Sequence, residues 1–221
     1  MKIAVVGSTG NLGGRIVRQA CERGIGVRAF VRSAARAEAL PRGVEVLERD
    51  LFALEPADLE GCDALISAFG SGFSVDPAVN ERACEAYIAL ARATGVRVAA
   101  IVGSGCLFAD EEHTERVYEL PGHPSKLIQI SSAATRGLAA LDAADDVDWR
   151  AVTPGLRFDP EGPLSLEGEV RLDSSRVLPG GPDGASYSTY EDIARVMLNT
   201  AMSGGHVHEL ICVLSPEPAE E

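Results

Sequence analysis

The sequence predicts a doubly wound α/β fold, with a parallel sheet in the order 3-2-1-4-5-6, a further C-terminal strand, and helices on both faces. Two observations predict it. Short apolar runs alternate with segments of helical spacing through most of the chain, the pattern of repeated strand–helix–strand crossovers. The first apolar run, Ile3–Val6, passes at once into a glycine-rich turn and an amphipathic helix, the junction at which such folds begin.

Ile3–Val6 is apolar without interruption, as a central strand buried on both faces must be. Leu12, Ile16, Val17, Ala20 and Cys21 then recur at helical spacing until Gly24 and Gly26 end the helix. Val27–Val31 is the second strand, Ser33–Leu40 a short helix stopped by Pro41, and Val44–Leu47 the third strand. Ala57–Leu59 is a brief helix before the fourth strand, Ala64–Ile66. Pro77–Ala93 reads as a long helix with Val79, Ala83, Ala86, Tyr87 and Leu90 on its apolar side. Val96–Val102 is the fifth strand, broken by Gly103-Ser104-Gly105. Helix Ser125–Leu141 turns Leu127, Ile130, Ala134, Leu138 and Leu141 to one face, and Trp149–Val152 is the sixth strand, closed by Thr153-Pro154-Gly155. Helix Tyr190–Met202 and strand Val207–Val213 finish the fold, and residues 216–221 form a frayed tail.

The alternation breaks twice. Residues 106–124 are a polar excursion whose acidic cluster, Asp110-Glu111-Glu112, reads as a solvated face. Residues 156–188 are rich in glycine and proline and suggest a short hairpin, Leu164–Leu166 with Val170–Leu172. Both follow the carboxyl ends of strands, where open α/β sheets bind ligands. A single domain over residues 1–221 is expected, with these two excursions on its substrate side.

Acidic side chains outnumber basic ones by 33 to 20, a net charge of −13. That disfavours nucleic acid and anionic membranes as partners, since both are polyanions. An anionic cofactor remains compatible wherever arginines cluster locally. Cys21, Cys62, Cys84, Cys106 and Cys212 show no C-x-x-C spacing and read as reduced thiols of a cytoplasmic protein. No apolar run is long enough for a bilayer, and no basic-then-apolar leader opens the sequence. A monomer and a homodimer are both compatible with it.

Gly7-Ser8-Thr9-Gly10-Asn11-Leu12-Gly13 lies between the first strand and the first helix. Gly7 permits a tight turn, Gly10 lets backbone approach a pyrophosphate, and Gly13 lets the helix pack close to the strand. The free amides and positive dipole end of that helix suit phosphate, so this Rossmann-type turn, with Thr9, Asn11 and Leu12, is expected to hold a dinucleotide. The end of the second strand selects which one. An acidic residue there would grip the ribose hydroxyls of NAD, but the sequence has Arg32, then Ser33 and Arg36. A guanidinium matches a phosphate through paired charge-assisted hydrogen bonds. Arg32, helped by Ser33, is therefore expected to hold the 2′-phosphate of NADP(H), preferred over NAD(H). Surface arginine is the competing reading.

The spacing Gly7-x-x-Gly10-x-x-Gly13 resembles the extended and atypical short-chain dehydrogenase/reductases. Val31-Arg32-Ser33, Glu48-Arg49-Asp50-Leu51, Ser67-Ala68-Phe69-Gly70, Val102-Gly103-Ser104-Gly105 and Thr153-Pro154-Gly155 are similar to the atypical NAD(P)H-binding group. That group includes NmrA-like proteins and biliverdin-IXβ-reductase-like flavin reductases. The resemblance spans nearly the whole chain and implies that Asp50 and Leu51 flank the adenine, with Ala68, Phe69 and Gly70 on the ribose side. It places Gly103 and Ser104 near the nicotinamide, and Pro154 and Gly155 over it. The bland alternatives are that Asp50 caps a turn and that Pro154-Gly155 ends a strand.

The better-known members of that superfamily use a Tyr-x-x-x-Lys pair on the helix after strand five to pass a proton to a carbonyl. Residues 125–141 contain no tyrosine, and Tyr87, Tyr118, Tyr187 and Tyr190 have no lysine four residues on. Alcohol–ketone chemistry and sugar-nucleotide epimerisation therefore do not fit. Hydride transfer by proximity fits, to an acceptor such as a flavin or quinone that takes its proton from water. Ser104 could hydrogen-bond such an acceptor, and Tyr118 and His123 could line its pocket or supply a proton, which makes these three the catalytic candidates; a strand-end hydroxyl and surface loop residues are the competing readings. His206-x-His208 would put two imidazoles on one strand face without a third metal ligand, so no metal is expected. Two functions follow: an NADPH-dependent oxidoreductase acting on a small conjugated acceptor, or a non-catalytic NADP(H)-binding redox sensor of the NmrA-like kind.

Overall fold

The computed structural model describes residues 1–70, 76, 78–180 and 186–217. The strands are β1 (Lys2–Val6), β2 (Gly26–Val31), β3 (Glu45–Glu48), β4 (Ala64–Ser67), β5 (Arg97–Ile101), β6 (Trp149–Pro154), β7 (Arg157–Asp159), β8 (Arg171–Asp173), β9 (Tyr187–Thr189) and β10 (Glu209–Leu214). The helices are α1 (Asn11–Glu22), α2 (Val79–Thr94), α3 (Ser125–Asp142) and α4 (Tyr190–Ser203). The large sheet runs β3-β2-β1-β4-β5-β6-β10-β8. It is parallel from β3 through β10, and β8 is added antiparallel to β10. A second, two-stranded parallel sheet joins β7 to β9.

The chain leaves β1 toward β2 and β3, then returns to the other side of β1 for β4, β5 and β6. The resulting switch point opens a crevice beyond the carboxyl ends of β1 and β4. Side chains alternate along β1 as the strand period requires. Ile3 and Val5 enter one core with Ile16 and Val17 of α1 and Ile193 and Met197 of α4. Ala4 and Val6 enter the other with Ala83, Cys84 and Tyr87 of α2 and Leu138 of α3. Burial on both faces explains why the central strands carry no polar alternation.

Thr189 caps α4, accepting the Asp192 amide at 3.1 Å. The Asp192 carboxylate is fully buried and accepts from the Ser165 amide (3.1 Å) and hydroxyl (2.5 Å), the Ser215 hydroxyl (2.6 Å) and Arg195 Nη2 (2.9 Å). One carboxylate thus ties α4 to the excursion after β6 and to the end of β10. The two excursions also zip together, since Phe108 donates its amide to Arg176 and accepts from Leu178, both at 2.8 Å.

Several details differ from expectation. The hairpin of Leu164–Leu166 with Val170–Leu172 does not form; Arg171–Asp173 pairs with β10 instead. The Ser165 amide is taken by Asp192 and the Leu166 amide by Glu169, so neither is left for a ladder. The final strand starts at Glu209 rather than Val207, because His206 (φ 58°) and His208 (φ 61°) are left-handed. Their rings diverge: His206 Nδ1 meets Glu209 and His208 Nε2 meets the Val147 carbonyl, each at 2.8 Å. Asp110 organises a turn, accepting the Thr114 and Glu115 amides at 2.9 Å. Those amides hold its carboxyl below the usual carboxylate range, while Glu111 and Glu112 are exposed. The short helices at 34–39 and 56–59 are of the 3-10 type. Pro77 and residues 218–221 lie outside the described residues.

Candidate functional site

A cleft of about 680 Å³ runs along the carboxyl ends of the strands, across the switch point. Its centre is the turn between β1 and α1, where Gly7, Thr9, Gly10, Asn11 and Leu12 line the wall. Gly7 is left-handed (φ 73°), and a Cβ there would lie 2.7 Å from the Ala68 carbonyl oxygen. Gly13 lies behind the lining, where a Cβ would strike the Gly7 carbonyl. Helix α1 begins at Gly10 with no side-chain cap and no acidic residue in its first turn. Its first amides are therefore open donors at the positive end of a dipole, the arrangement a phosphate fits.

One end of the cleft collects cations and aromatic rings. Arg32, Arg36 and Arg49 line it. Arg49 lies 3.5 Å from Asp58, whereas neither Arg32 nor Arg36 has an ionic partner among the described residues. In a chain of net charge −13, unpaired arginines facing a cleft mark a local positive field. Asp50, Leu51 and Phe52 follow. Asp50 accepts the Phe52 amide at 3.0 Å and caps the turn 51–53, so the turn-capping reading holds while the residue also faces the cleft. Ala68, Phe69 and Gly70 line the same region, and the Phe69 ring meets Phe52 edge-on at 6.0 Å. Ser33 sits beside Arg32 but does not line the cleft.

At the other end, Gly103 and Pro154 line the cleft, as do Ile130 and Ala134 of α3. Phe158 and Tyr190 complete this end, their rings stacked 3.8 Å apart and 8° from parallel. Gly155, Ser104, Tyr118 and His123 stand outside the lining. The Gly155 amide donates to Ser188 Oγ at 2.8 Å, which secures the turn beyond Pro154. Ser104 opens a 3-10 turn one residue past Gly103. Tyr118 lies in the 3-10 turn 117–119 near Gly105, and His123 follows it with Nε2 buried and unpartnered among the described residues.

Sequence reasoning missed Asn80, Cys84, Tyr87, Phe158 and Tyr190 as cleft residues. Tyr87 carried the signal of a core position; its hydroxyl accepts from Ser67 Oγ at 2.6 Å under the cleft. Burial raises the Tyr87 phenol and pushes the Cys84 thiol up to about 12, so neither is ionised near neutrality. Cys84 is therefore not an activated nucleophile. Phe158 lies in the excursion, and Tyr190 is the first residue after a helix cap, positions at which periodicity says nothing.

Residues 7–203 match the NAD(P)H-binding family. The chain is 30% identical over 216 residues to the uncharacterized protein YwnB of Bacillus subtilis, covering 97% of this chain and 99% of that one. It is 28% identical over 220 residues to an NAD(P)H azoreductase of Xenophilus azovorans, covering 97% and 68%. Among solved structures, SP1627 of Streptococcus pneumoniae, provisionally assigned as an NADH-flavin reductase, superposes with a TM-score of 0.84 at 30% identity, over 98% of this chain and 100% of that one. With a matching family pattern, a matching sheet order and a glycine turn opening on a cleft, this chain belongs to the NAD(P)H-binding family.

Proposed function

We propose that the protein is an NADPH-dependent oxidoreductase that reduces a small conjugated acceptor, of the flavin, quinone or azo type. The observation that carries this reading is one continuous cleft with two unlike ends. Open helix amides and the arginines Arg32 and Arg36, without an ionic partner among the described residues, occupy one part; small and aromatic side chains occupy the other. The α1 amides, with Gly7, Gly10 and Gly13, take the pyrophosphate, and Arg32 with Arg36 takes the 2′-phosphate. Asp50, Leu51, Phe52 and Phe69 surround the adenine, and Ala68 and Gly70 lie on the ribose side. Gly103 and Pro154 leave room for the nicotinamide, and Gly155 fixes the turn that holds Pro154.

When bound, the reduced nicotinamide supplies a hydride, and the acceptor completes its two-electron reduction with a proton from water. The chain contributes alignment of nicotinamide and acceptor rather than a proton donor. Consistent with this, the Tyr87 phenol at the cleft wall is buried and engaged with Ser67, and no lysine stands four residues after any tyrosine. Ser104, Tyr118 and His123 stand outside the cleft lining and are given no part in the reaction. The provisional NADH-flavin reductase assignment of SP1627 and the azoreductase of Xenophilus azovorans support the acceptor class.

The test is steady-state oxidation of NADPH by the purified protein with FMN, menadione and an azo dye. Turnover with at least one acceptor is expected, with NADH slower at equal concentration. Tight NADPH binding without turnover on any of the three would favour the redox-sensor reading and end the enzymatic one.

A further inference from the structure

We propose that the stacked pair Phe158–Tyr190 is the platform on which the acceptor's planar ring lies, with Arg15 as the positioning residue that holds it. The assignment rests on the oxidoreductase reading for its biological sense, but the platform itself is testable without turnover. The cleft is walled by two layers of the fold. Ala134 and Cys84 come from the α2–α3 side, and Phe158 and Tyr190 pack on the α1–α4 side. At the Gly103–Pro154 end, these two rings are the aromatic surface that the described residues offer.

Tyr190 and Phe158 come from distant parts of the chain, the first residue of α4 and the middle of β7. Their near-parallel stacking needs a support, and Arg15 supplies it. Its guanidinium carbon lies over the Tyr190 ring, 5.6 Å from the centroid. Nη1 donates to the Asn11 carbonyl at 2.9 Å, Nη2 donates to the Pro160 carbonyl, and Nε lies 3.2 Å from Glu191 Oε1. Glu191 is held in turn by Arg18 and by Gln19 Nε2. One side chain of α1 therefore grips the start of its own helix, the segment after β7 and the start of α4. Arg15 thus joins the first residue of α1, beside the glycine turn, to the aromatic pair.

Stacked rings exposed to a cleft favour flat, conjugated ligands, because offset π-stacking adds to the apolar area buried. An extended aliphatic or a sugar would gain little from them. Flavin rings and naphthoquinones share the chemistry the platform recognises.

The experiment measures dissociation constants of riboflavin, FMN and menadione for the full chain, with and without NADP⁺, by quenching of flavin fluorescence and by calorimetry for menadione. The variants are Phe158→Leu, which keeps apolar volume without the ring, Phe158→Tyr, Tyr190→Leu, and Arg15→Met. Phe158→Leu and Tyr190→Leu are expected to weaken all three ligands roughly tenfold, and Phe158→Tyr to restore them. NADP⁺ affinity should change less than twofold in both leucine variants. Arg15→Met should weaken the flat ligands and NADP⁺ together, since Arg15 joins the start of α1 to the aromatic pair. The proposal is overturned if wild type binds none of the three, if the leucine variants bind them as wild type does, or if FMN alone responds, which would assign the contact to its phosphate. Absence of NADP⁺ binding in wild type, with flavin quenching still sensitive to Phe158, would instead remove the cofactor reading and leave the platform standing.

Discussion

A Cβ added at Gly13 would sit 2.0 Å from the carbonyl oxygen of Gly7. The obstacle is backbone on both sides, so nothing flexible can yield. Gly13→Ala is expected to push α1 off the turn, lower stability by about 1–3 kcal/mol and abolish NADPH binding. Gly14→Ala is the control, because it lies outside the cleft lining and the nearest atom to a Cβ there is the Ser8 carbonyl oxygen at 3.8 Å, an ordinary contact. Thermal melts of the two variants, with and without NADPH, check the contrast. Equal melting temperatures in Gly13→Ala and wild type would contradict the close approach.

Asp192 is a second point of leverage. Its buried carboxylate gathers Ser165, Ser215 and Arg195. Removing it takes the ionic partner from Arg195, which keeps the Ser165 carbonyl, and leaves two hydroxyls without their acceptor, at a cost of about 1–3 kcal/mol. Asp192→Ala is expected to shift the urea midpoint strongly downward and to expose the 156–180 segment to protease. Asp192→Asn should lose less, because it keeps an acceptor for Ser165 and Ser215. Limited proteolysis and chemical denaturation read both effects.

The alkaline limb of stability should report Tyr187. Its hydroxyl donates to Asp159 at 2.8 Å, and burial followed by that hydrogen bond pushes the phenol up to about 12. The unfolded chain releases the same proton near pH 10. Between these values the native state binds more protons than the unfolded state, so stability falls as pH rises from about 10 to about 12. Tyr87, raised by burial, acts with the same sign. Tyr187→Phe is expected to flatten this limb and leave stability near neutrality little changed apart from one hydrogen bond. An unchanged slope of denaturation midpoint against pH in Tyr187→Phe would contradict the assignment.

Arg32 and Arg36 should set cofactor choice. Charge-assisted hydrogen bonds to a phosphate contribute about 1.5–3 kcal/mol, so Arg32→Ala is expected to weaken NADPH roughly 10- to 100-fold and NADH little. Because Arg32 is exposed, the preference should also shrink as salt rises. An unchanged NADPH dissociation constant in Arg32→Ala would rule out this role.

How much of this was legible beforehand depended on what kind of signal each part carries. The strands and the four long helices followed from local periodicity and the glycine turn from spacing, because each records a constraint written within a few adjacent residues, and the strand order followed from the fold class these imply. The excursions were not legible in the same way. The amides of Ser165 and Leu166, which looked free for a hairpin, are consumed by carboxylates at Asp192 and Glu169. One of those partners is distant in sequence, and no periodicity encodes it. Phe158 and Tyr190 meet only because β7 pairs with β9 ahead of α4. Tyr87 was legible as core, but not as a wall of the cleft, because the two roles share one spacing. Ser104, Tyr118 and His123 were placed by their position after strand five, and of that segment the cleft lining takes Ile101, Val102 and Gly103 but none of these three.

Calorimetric titration of wild-type protein with NADPH and NADH tests the whole account most directly. One site per chain is predicted, with NADPH the tighter ligand and its heat lost in Gly10→Asp, which sets a carboxylate against the phosphates. No heat with either dinucleotide, or the same binding curve in Gly10→Asp, would contradict the claim that this turn seats a dinucleotide.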